Sequence, residues 1–427
     1  MFRQSEMGCR MVKMRLKCGV DKVEWVCMDN AQNPFTPGAG SLPPEMAGRA
    51  DVMQMADTLF ARTLNHRAEK SMLLNGLRGV GKTVLLNHMR HLAEQQGYKT
   101  VFMEAQAGRP LAVALAPYLR SVLYDLDLMA QAGQKLKRAL QVLRNFIGVI
   151  KIDMGDFGIG LEPLPGKADS GILTVDLPEL LLAVAEAAEE KKTGVALFID
   201  ELQLVAEEEL EALIVAMHKL QQVQAPLVLV AAGLPNVRKK AGNAKTYAER
   251  LFAYPEIGRL NRDDAAAALD KPFAQAGFTF TPEAAQAVYS QTLGYPYFLQ
   301  EWGYQLWHHH QEQNTLITLQ DVEDVTQNVL ARLDENFFRI RYDRLTETQR
   351  LYMRAMAEFP PDACRSAAVA ALLGKDAKKL TPTRDKLIRE GMIYSPSYGE
   401  LRYSVPLFGD FMRRVQPDFP HPAAGES

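Results

Sequence analysis

The chain has 427 residues, 47% of them hydrophobic and 23% charged, with a formal net charge of -2. Such a length exceeds one ordinary core and predicts two or three domains, and the composition is that of a folded globular chain rather than a disordered one. The near-neutral balance supplies no overall field toward nucleic acid or acidic membrane, so any such contact has to come from a local patch.

Residues 1–28 are rich in Met, Cys and basic residues and show neither a helical nor a strand period. They read as a weakly ordered N-terminal extension, with Met28 as a candidate natural start. The spacing of Cys9, Cys18 and Cys27 fits neither a CxxC zinc pattern nor a small disulfide scaffold. A reducing, cytoplasmic setting follows. Leu227 to Leu234, the longest apolar stretch of the central region, is far short of the ~20 residues that span a bilayer. The basic N-terminus also lacks the apolar run of a signal peptide, so no membrane partner is expected.

A turn-rich stretch, Asn33 to Gly40 and then Pro43-Pro44, leads into a segment with Met53, Ala56, Leu59, Phe60 and Leu64 at helical spacing. Ser71 to Leu74 is a short apolar run entering a glycine loop, and Thr83 to Gln96 reads as a helix closed by Gly97. Thr100 to Ala105 is a second strand, and Leu111 to Leu143 is largely helical. Residues 148–176 carry Gly, Pro and the alternating Ile150, Ile152, Met154, Phe157, Ile159 and Leu161, which predicts an inserted β-hairpin. Asp176 is then a candidate N-cap with Pro178 in the first turn. Val195 to Ile199 and Leu227 to Ala232 read as buried strands flanking a helix over Glu208 to Gln222. Alternation of this kind predicts a parallel sheet with helices on both faces over residues 29–262. Residues 263–335 read as helical, 341–416 as a separate unit, and 417–427 as a tail.

Gly76-Leu77-Arg78-Gly79-Val80-Gly81-Lys82-Thr83 fits GxxxxGK[ST] in full, after a strand and before a helix that continues through Val84. Glycines at these positions let backbone amides close on phosphate oxygens, and the helix turns its positive end to the same charge. Lys82 supplies a mobile cation to the β- and γ-phosphates, and the Thr83 hydroxyl is a magnesium ligand. The strand Val195 to Ile199 delivers a second half-site, with Asp200 to hold magnesium and Glu201 to orient the attacking water. The expected ligands are therefore ATP and Mg2+, and the expected activity is hydrolysis to ADP and phosphate.

These two motifs resemble the AAA+ and STAND branches of P-loop ATPases, in particular origin-recognition-like ATPases with a C-terminal winged helix, over residues 33–416. The resemblance implies an α/β P-loop domain, an α-helical lid over 263–335 and a winged helix-turn-helix. It further implies that Gly48 and Arg49 form the box lying against adenine. Asn236 is the nearest polar residue to a sensor-1 position, which strand Leu227 to Ala232 leaves without one at its tip. Arg250, in Glu249-Arg250-Leu251-Phe252, resembles an arginine finger reaching a neighbour in a homo-oligomer, against the alternative of an ordinary surface arginine. Pro296, in Gly294-Tyr295-Pro296, resembles the GxP element of STAND lids, and no sensor-2 arginine stands nearby, which implies tight nucleotide holding and slow hydrolysis.

In the last unit, Thr346 to Glu358 and Ala367 to Leu373 read as helices, and Thr381 as the N-cap of a third that runs through Leu387 and Ile388 to Gly391. Met392 to Tyr394 and Leu401 to Val405 read as two strands, completing a winged helix-turn-helix. Residues 341–416 hold fourteen Lys and Arg against nine Asp and Glu. Lys375, Lys378, Lys379, Arg384, Lys386 and Arg389 cluster on or just before the third helix, the element that would enter a DNA major groove. The leading expectation is a DNA-associated ATPase; the alternative is a STAND-type signalling switch whose winged helix binds protein.

Overall fold

The computed structural model describes residues 30–38, 40–127, 133–150, 164–309, 315–361 and 363–419. The chain divides into two compact units, Arg49–Gly258 and Met1–Gly48 with Arg259–Ser427.

The first unit is a five-stranded parallel sheet wrapped by helices. In chain order it runs α1 (Ala50–Leu64), β1 (Ser71–Asn75), α2 (Lys82–Gln95), β2 (Lys99–Glu104), α3 (Leu111–Asp127), α4 (Gln134–Ile150) and α5 (Leu173–Glu190). It continues through β3 (Val195–Asp200), α6 (Glu207–Gln222), β4 (Leu227–Gly233), α7 (Asn236–Ala244), the single turn α8 (Ala248–Leu251) and β5 (Phe252–Ala253). The strand order is β2-β3-β4-β1-β5. The chain thus leaves β1 for the far edge, returns strand by strand, and then crosses to the other side of β1. In open parallel sheets such a reversal opens a crevice at the carboxyl ends of the strands. Register aligns those ends: Asn75 lies opposite Gly233, and Ile199 opposite Ala231.

Alternation along β3 fills both faces. Val195, Leu197 and Ile199 join the apolar core built with α3, α4, α5 and α6. Phe198 turns the other way, and its ring stands 6.3 Å from Phe60 of α1. Every residue of β3 and β4 is buried, which is why both segments read as continuous apolar runs rather than as alternating ones.

Two expectations change here, and one strand is added that the sequence reading does not contain. The hairpin over 148–176 does not extend to either of its ends, because Ile150 closes α4 and α5 begins at Leu173. Its remaining candidates Ile152, Met154, Phe157, Ile159 and Leu161 lie outside the described residues, as does the 1–28 extension. Asp176 is not the N-cap of α5 but sits inside it, buried, its carboxylate accepting from Ser170 N, Ser170 Oγ and Gly171 N. It fastens the incoming loop instead of starting the helix. Finally, β5 has only two residues, too short for any periodic signal, yet it pairs Phe252 with Ser71.

The second unit contains α9 (Arg262–Gln275), β6 (Thr279–Phe280), α10 (Pro282–Thr292), α11 (Pro296–His309), β7 (Leu316–Ile317), α12 (Leu319–Leu333) and, after a π-helical turn over Asp334–Arg339, α13 (Ile340–Tyr342). The two-residue strands β6 and β7 pair in parallel, a small sheet that the helical reading of 263–335 missed. Residues 33–38 belong here rather than with the five-stranded sheet: the Phe35 ring lies 5.1 Å from that of Phe273. A Cβ on Gly303 would come within 2.4 Å of the Phe35 ring, so the helix gives up a side chain to seat it.

The chain ends with α14 (Glu347–Met356), α15 (Ser366–Leu372), α16 (Ala377–Arg389), β8 (Ile393–Tyr394), β9 (Arg402–Tyr403) and α17 (Phe408–Val415). Thr346 and Gln349 form a reciprocal capping box on α14, typically worth about 1 kcal/mol. Strands β8 and β9 are antiparallel, with Ile393 opposite Tyr403. Helix α16 starts earlier than the sequence suggests. Asp376 caps it by accepting from Lys378 N at 2.8 Å, while Thr381 donates back to Ala377 O at 3.1 Å and Pro382 sits inside the helix. Thr381 and Pro382 imitate a helix start, and the aspartate one turn upstream takes the role.

Candidate functional site

The glycine loop joins β1 to α2 at the carboxyl edge of the sheet. Gly79 and Gly81 have φ of 78° and 91°, conformations that a side chain would strain. Gly76 is required for a different reason: a Cβ there would lie 2.2 Å from Ile257 O. Its amide donates to Gly233 O at 3.2 Å, tying the loop to the end of β4.

Lys82 is buried, and its ammonium donates to Gly76 O at 2.9 Å and Leu77 O at 2.7 Å. Burial lowers its pKa to about 8, against the opposing pull of Glu201 and Asp200. Thr83 Oγ1 donates to Asp200 Oδ2 at 2.5 Å, and Asp200 Oδ1 accepts from Glu201 N at 2.8 Å. Burial pushes the Asp200 carboxyl above its ordinary range, while the bonds from Thr83 and the Glu201 amide pull the other way. The structure therefore brings Lys82, Thr83, Asp200 and Glu201 to one edge.

A buried carboxylate beside a hydroxyl is an all-oxygen donor pair, which suits Mg2+ better than a softer metal. Among the described residues no group of three His, Cys, Asp or Glu side chains is placed to hold a metal on its own. A magnesium ion at Thr83 and Asp200 would complete its shell with phosphate and water oxygens, as that ion prefers.

The remaining candidates spread more widely. Arg49 Nη2 donates to Val80 O at 3.2 Å and Gly258 O at 2.6 Å, so it braces the phosphate loop from below the start of α1. Gly48 belongs to the other unit, where a Cβ would meet Asp264 Oδ2 at 2.6 Å. Asn236 opens α7 and is exposed, and Arg250 is exposed on α8. Pro296 opens α11 in the second unit, and the neighbouring Tyr295 hydroxyl donates to Ser404 O at 3.0 Å.

Sequence reasoning missed Gln203. It lies in the short 3-10 turn Leu202–Leu204 just past Glu201, which itself has φ of 53°. Buried among the ends of β3 and β4, Gln203 donates through Nε2 to Glu201 Oε2 and accepts through Oε1 from Leu234 N at 3.1 Å. A glutamine two residues beyond an acidic pair carries no motif signal, and only the sheet register brings it to the tip of β4.

In the second unit, Lys378, Lys379, Lys386 and Arg389 are exposed on α16, opposite the buried Leu380 and Leu387. Arg384 is half-buried and spends its charge on Asp385 at 2.8 Å. Lys375 is exposed just ahead of the helix.

Comparison with known proteins matches residues 45–230 to the AAA ATPase domain and residues 335–412 to a domain of unknown function, DUF8462. No curated protein matches the sequence. The Walker-type ATPase of Pyrococcus abyssi is similar in fold, with a TM-score of 0.57 at 13% identity over 89% of this chain and 99% of that one. The ORC2 protein of Aeropyrum pernix aligns with a TM-score of 0.49 at 11% identity over 90% of this chain and 98% of its own. The ORC1 protein of the same organism, in complex with DNA, aligns with a TM-score of 0.44 at 11% identity over 87% and 94%. Among the described residues no helix is long and apolar enough to cross a membrane.

Proposed function

We propose, from the AAA ATPase domain at residues 45–230, that this protein binds and slowly hydrolyses ATP and couples its nucleotide state to duplex DNA held by a C-terminal winged helix. The observation that carries the first half is the Thr83–Asp200 contact beside Lys82. Lys82 already holds its ammonium at the loop carbonyls, poised to exchange them for phosphate oxygens. Glu201 is half-buried at the same edge and orients a water for attack. Bound magnesium supplies charge neutralisation across the phosphates. The intact Glu201 favours turnover over a purely structural nucleotide, and in an assembled form the exposed Arg250 reaches toward a neighbour's site.

The DNA half of the proposal rests on α16. Its exposed face carries Lys378, Lys379, Lys386 and Arg389 with Leu380 and Leu387 turned inward, and the β8–β9 hairpin follows it as a wing would. Point charges on one helix face suit phosphates. Titration of fluorescent duplex DNA with the full chain over a range of salt tests it. Binding that falls with a slope of about 0.9 per phosphate contact supports the reading. No binding above background at low salt overturns it and favours a signalling switch whose C-terminal unit binds protein.

A further inference from the structure

The tip of β4 lacks a polar side chain of its own. Gly233 ends the strand, Leu234 and Pro235 follow, and Asn236 is exposed at the start of α7. Yet the space beside that tip is occupied by a polar group. A Cβ built on Gly233 would lie 2.9 Å from Gln203 Oε1 and 2.4 Å from Val237 Cγ2. A glycine at 233 therefore makes room for both the Val237 side chain of α7 and the Gln203 amide.

Both ends of that amide are used. Its carbonyl end accepts from Leu234 N at 3.1 Å, and its NH2 end donates to Glu201 Oε2. The two partners fix which way the amide faces, since a carboxylate takes only a donor and an N–H only an acceptor. Lys240 Nζ of α7 donates to the main-chain carbonyls of Gln203 and Val205, pinning the turn that carries the glutamine. On the other side, Gly233 O accepts from Gly76 N at the head of the phosphate loop. A continuous hydrogen-bonded path thus runs from the phosphate loop through β4 to one oxygen of Glu201.

Resting on the ATPase reading above, we infer that Gln203 is the positioning residue for Glu201, filling from the β3 side the polar place that β4 leaves empty. It holds one carboxylate oxygen and leaves the other for water. A change at Gly76 on phosphate binding reaches Glu201 through Gly233, Leu234 and the Gln203 amide. Asn236 has no part in this path.

The test compares the full chain with Gln203→Met, Gly233→Ala, the double variant and Glu201→Gln, measuring kcat and KM for ATP together with thermal melting. Methionine keeps the length of glutamine and removes both hydrogen bonds. Loss of a hydrogen bond to a charged group is expected to lower kcat about tenfold or more, with KM for ATP changed less than about twofold. Gly233→Ala, read beside Val237→Ala because the same Cβ would crowd that side chain, pushes the amide aside and is expected to give a similar fall, with the Gln203→Met, Gly233→Ala double variant no worse than the worse single one. If Gln203→Met fails to fold, Gly233→Ala carries the same comparison. Unchanged kcat in the folded variants, or kcat and KM moving together with the melting temperature, overturns the positioning role while leaving the ATPase reading intact. No ATP turnover by the parent chain instead overturns that reading, and full turnover by Glu201→Gln overturns the role of Glu201 and the inference with it.

Discussion

Thr83 and Asp200 lie 117 positions apart in sequence, yet the hydroxyl of one donates to the carboxylate of the other at 2.5 Å. Thr83 lies in the first turn of α2 after β1, Asp200 ends β3, and β1 and β3 are not neighbours in the sheet. β4 stands between β1 and β3, and the parallel register of all three brings the loop after β1 to the end of β3. The pair is the point where two separate sequence motifs become one site.

Separating the roles at this site is direct. On the proposed reading Asp200→Ala and Thr83→Ala each remove a magnesium donor, and they are expected to reduce magnesium-dependent ATP turnover about a hundredfold or more, while retaining part of the nucleotide affinity. Lys82→Ala is expected to lose both. Calorimetric nucleotide binding with and without magnesium, alongside phosphate release, checks this. Equal loss of metal-free binding in all three would show that Thr83 and Asp200 do no more than shape the loop.

Charge reversal on α16 should act on DNA and not on folding. Lys378→Glu with Lys386→Glu alters exposed side chains only, so stability is expected to stay within about 0.5 kcal/mol of the parent chain. DNA affinity is expected to fall and the salt slope to drop by roughly two. Leu387→Ala, on the buried side, should do the reverse and cost about 2–5 kcal/mol. Fluorescence anisotropy and thermal melts on the same samples read both.

The Tyr295 hydroxyl ties the Gly294-Tyr295-Pro296 element to the carbonyl of Ser404 beyond β9. Tyr295→Phe keeps the ring and removes the bond, which is expected to destabilise the second unit by about 1 kcal/mol. Phenylalanine leaves the Ser404 carbonyl without this donor, so chemical denaturation should show the loss as a shift in midpoint at constant slope.

Cys364 supplies a pH-dependent check on the C-terminal packing. It is buried, and burial raises its pKa from 9.0 to about 11. Between those values the unfolded chain releases the thiol proton while the folded one retains it. The stability this contributes is present below pH 9 and is lost as pH rises toward 11. Cys364→Ala should therefore show a shallower decline in melting temperature across that window than the parent chain. Mapping of alkylated peptides at pH 8 should find Cys364 protected in the folded protein.

How much of this the sequence displayed depends on where the signal lies. The phosphate loop and Asp200-Glu201 are contiguous, and buried strands such as Leu227–Gly233 announce themselves as unbroken apolar runs. Boundaries set by one side chain were misread: Asp376 and not Thr381 caps α16, and Asp176 anchors a loop from inside α5. Two-residue strands such as β5 and β6 have no period to detect. The alternation read from Ile150 onward hid the end of α4, whose helical period, with Leu136, Leu140, Leu143 and Ile147 buried, runs as far as Ile150. Gln203 was invisible because its importance comes from the tip of β4, a neighbour supplied by the sheet and not by the chain.

The most direct test of the account is ATP hydrolysis by the purified full chain, with and without duplex DNA, using Glu201→Gln as the control. The account predicts slow magnesium-dependent hydrolysis that DNA stimulates and that the Glu201→Gln variant abolishes. Turnover indifferent to DNA, with ATP still tightly bound, would contradict the coupling, and turnover that survives Glu201→Gln would contradict the site itself.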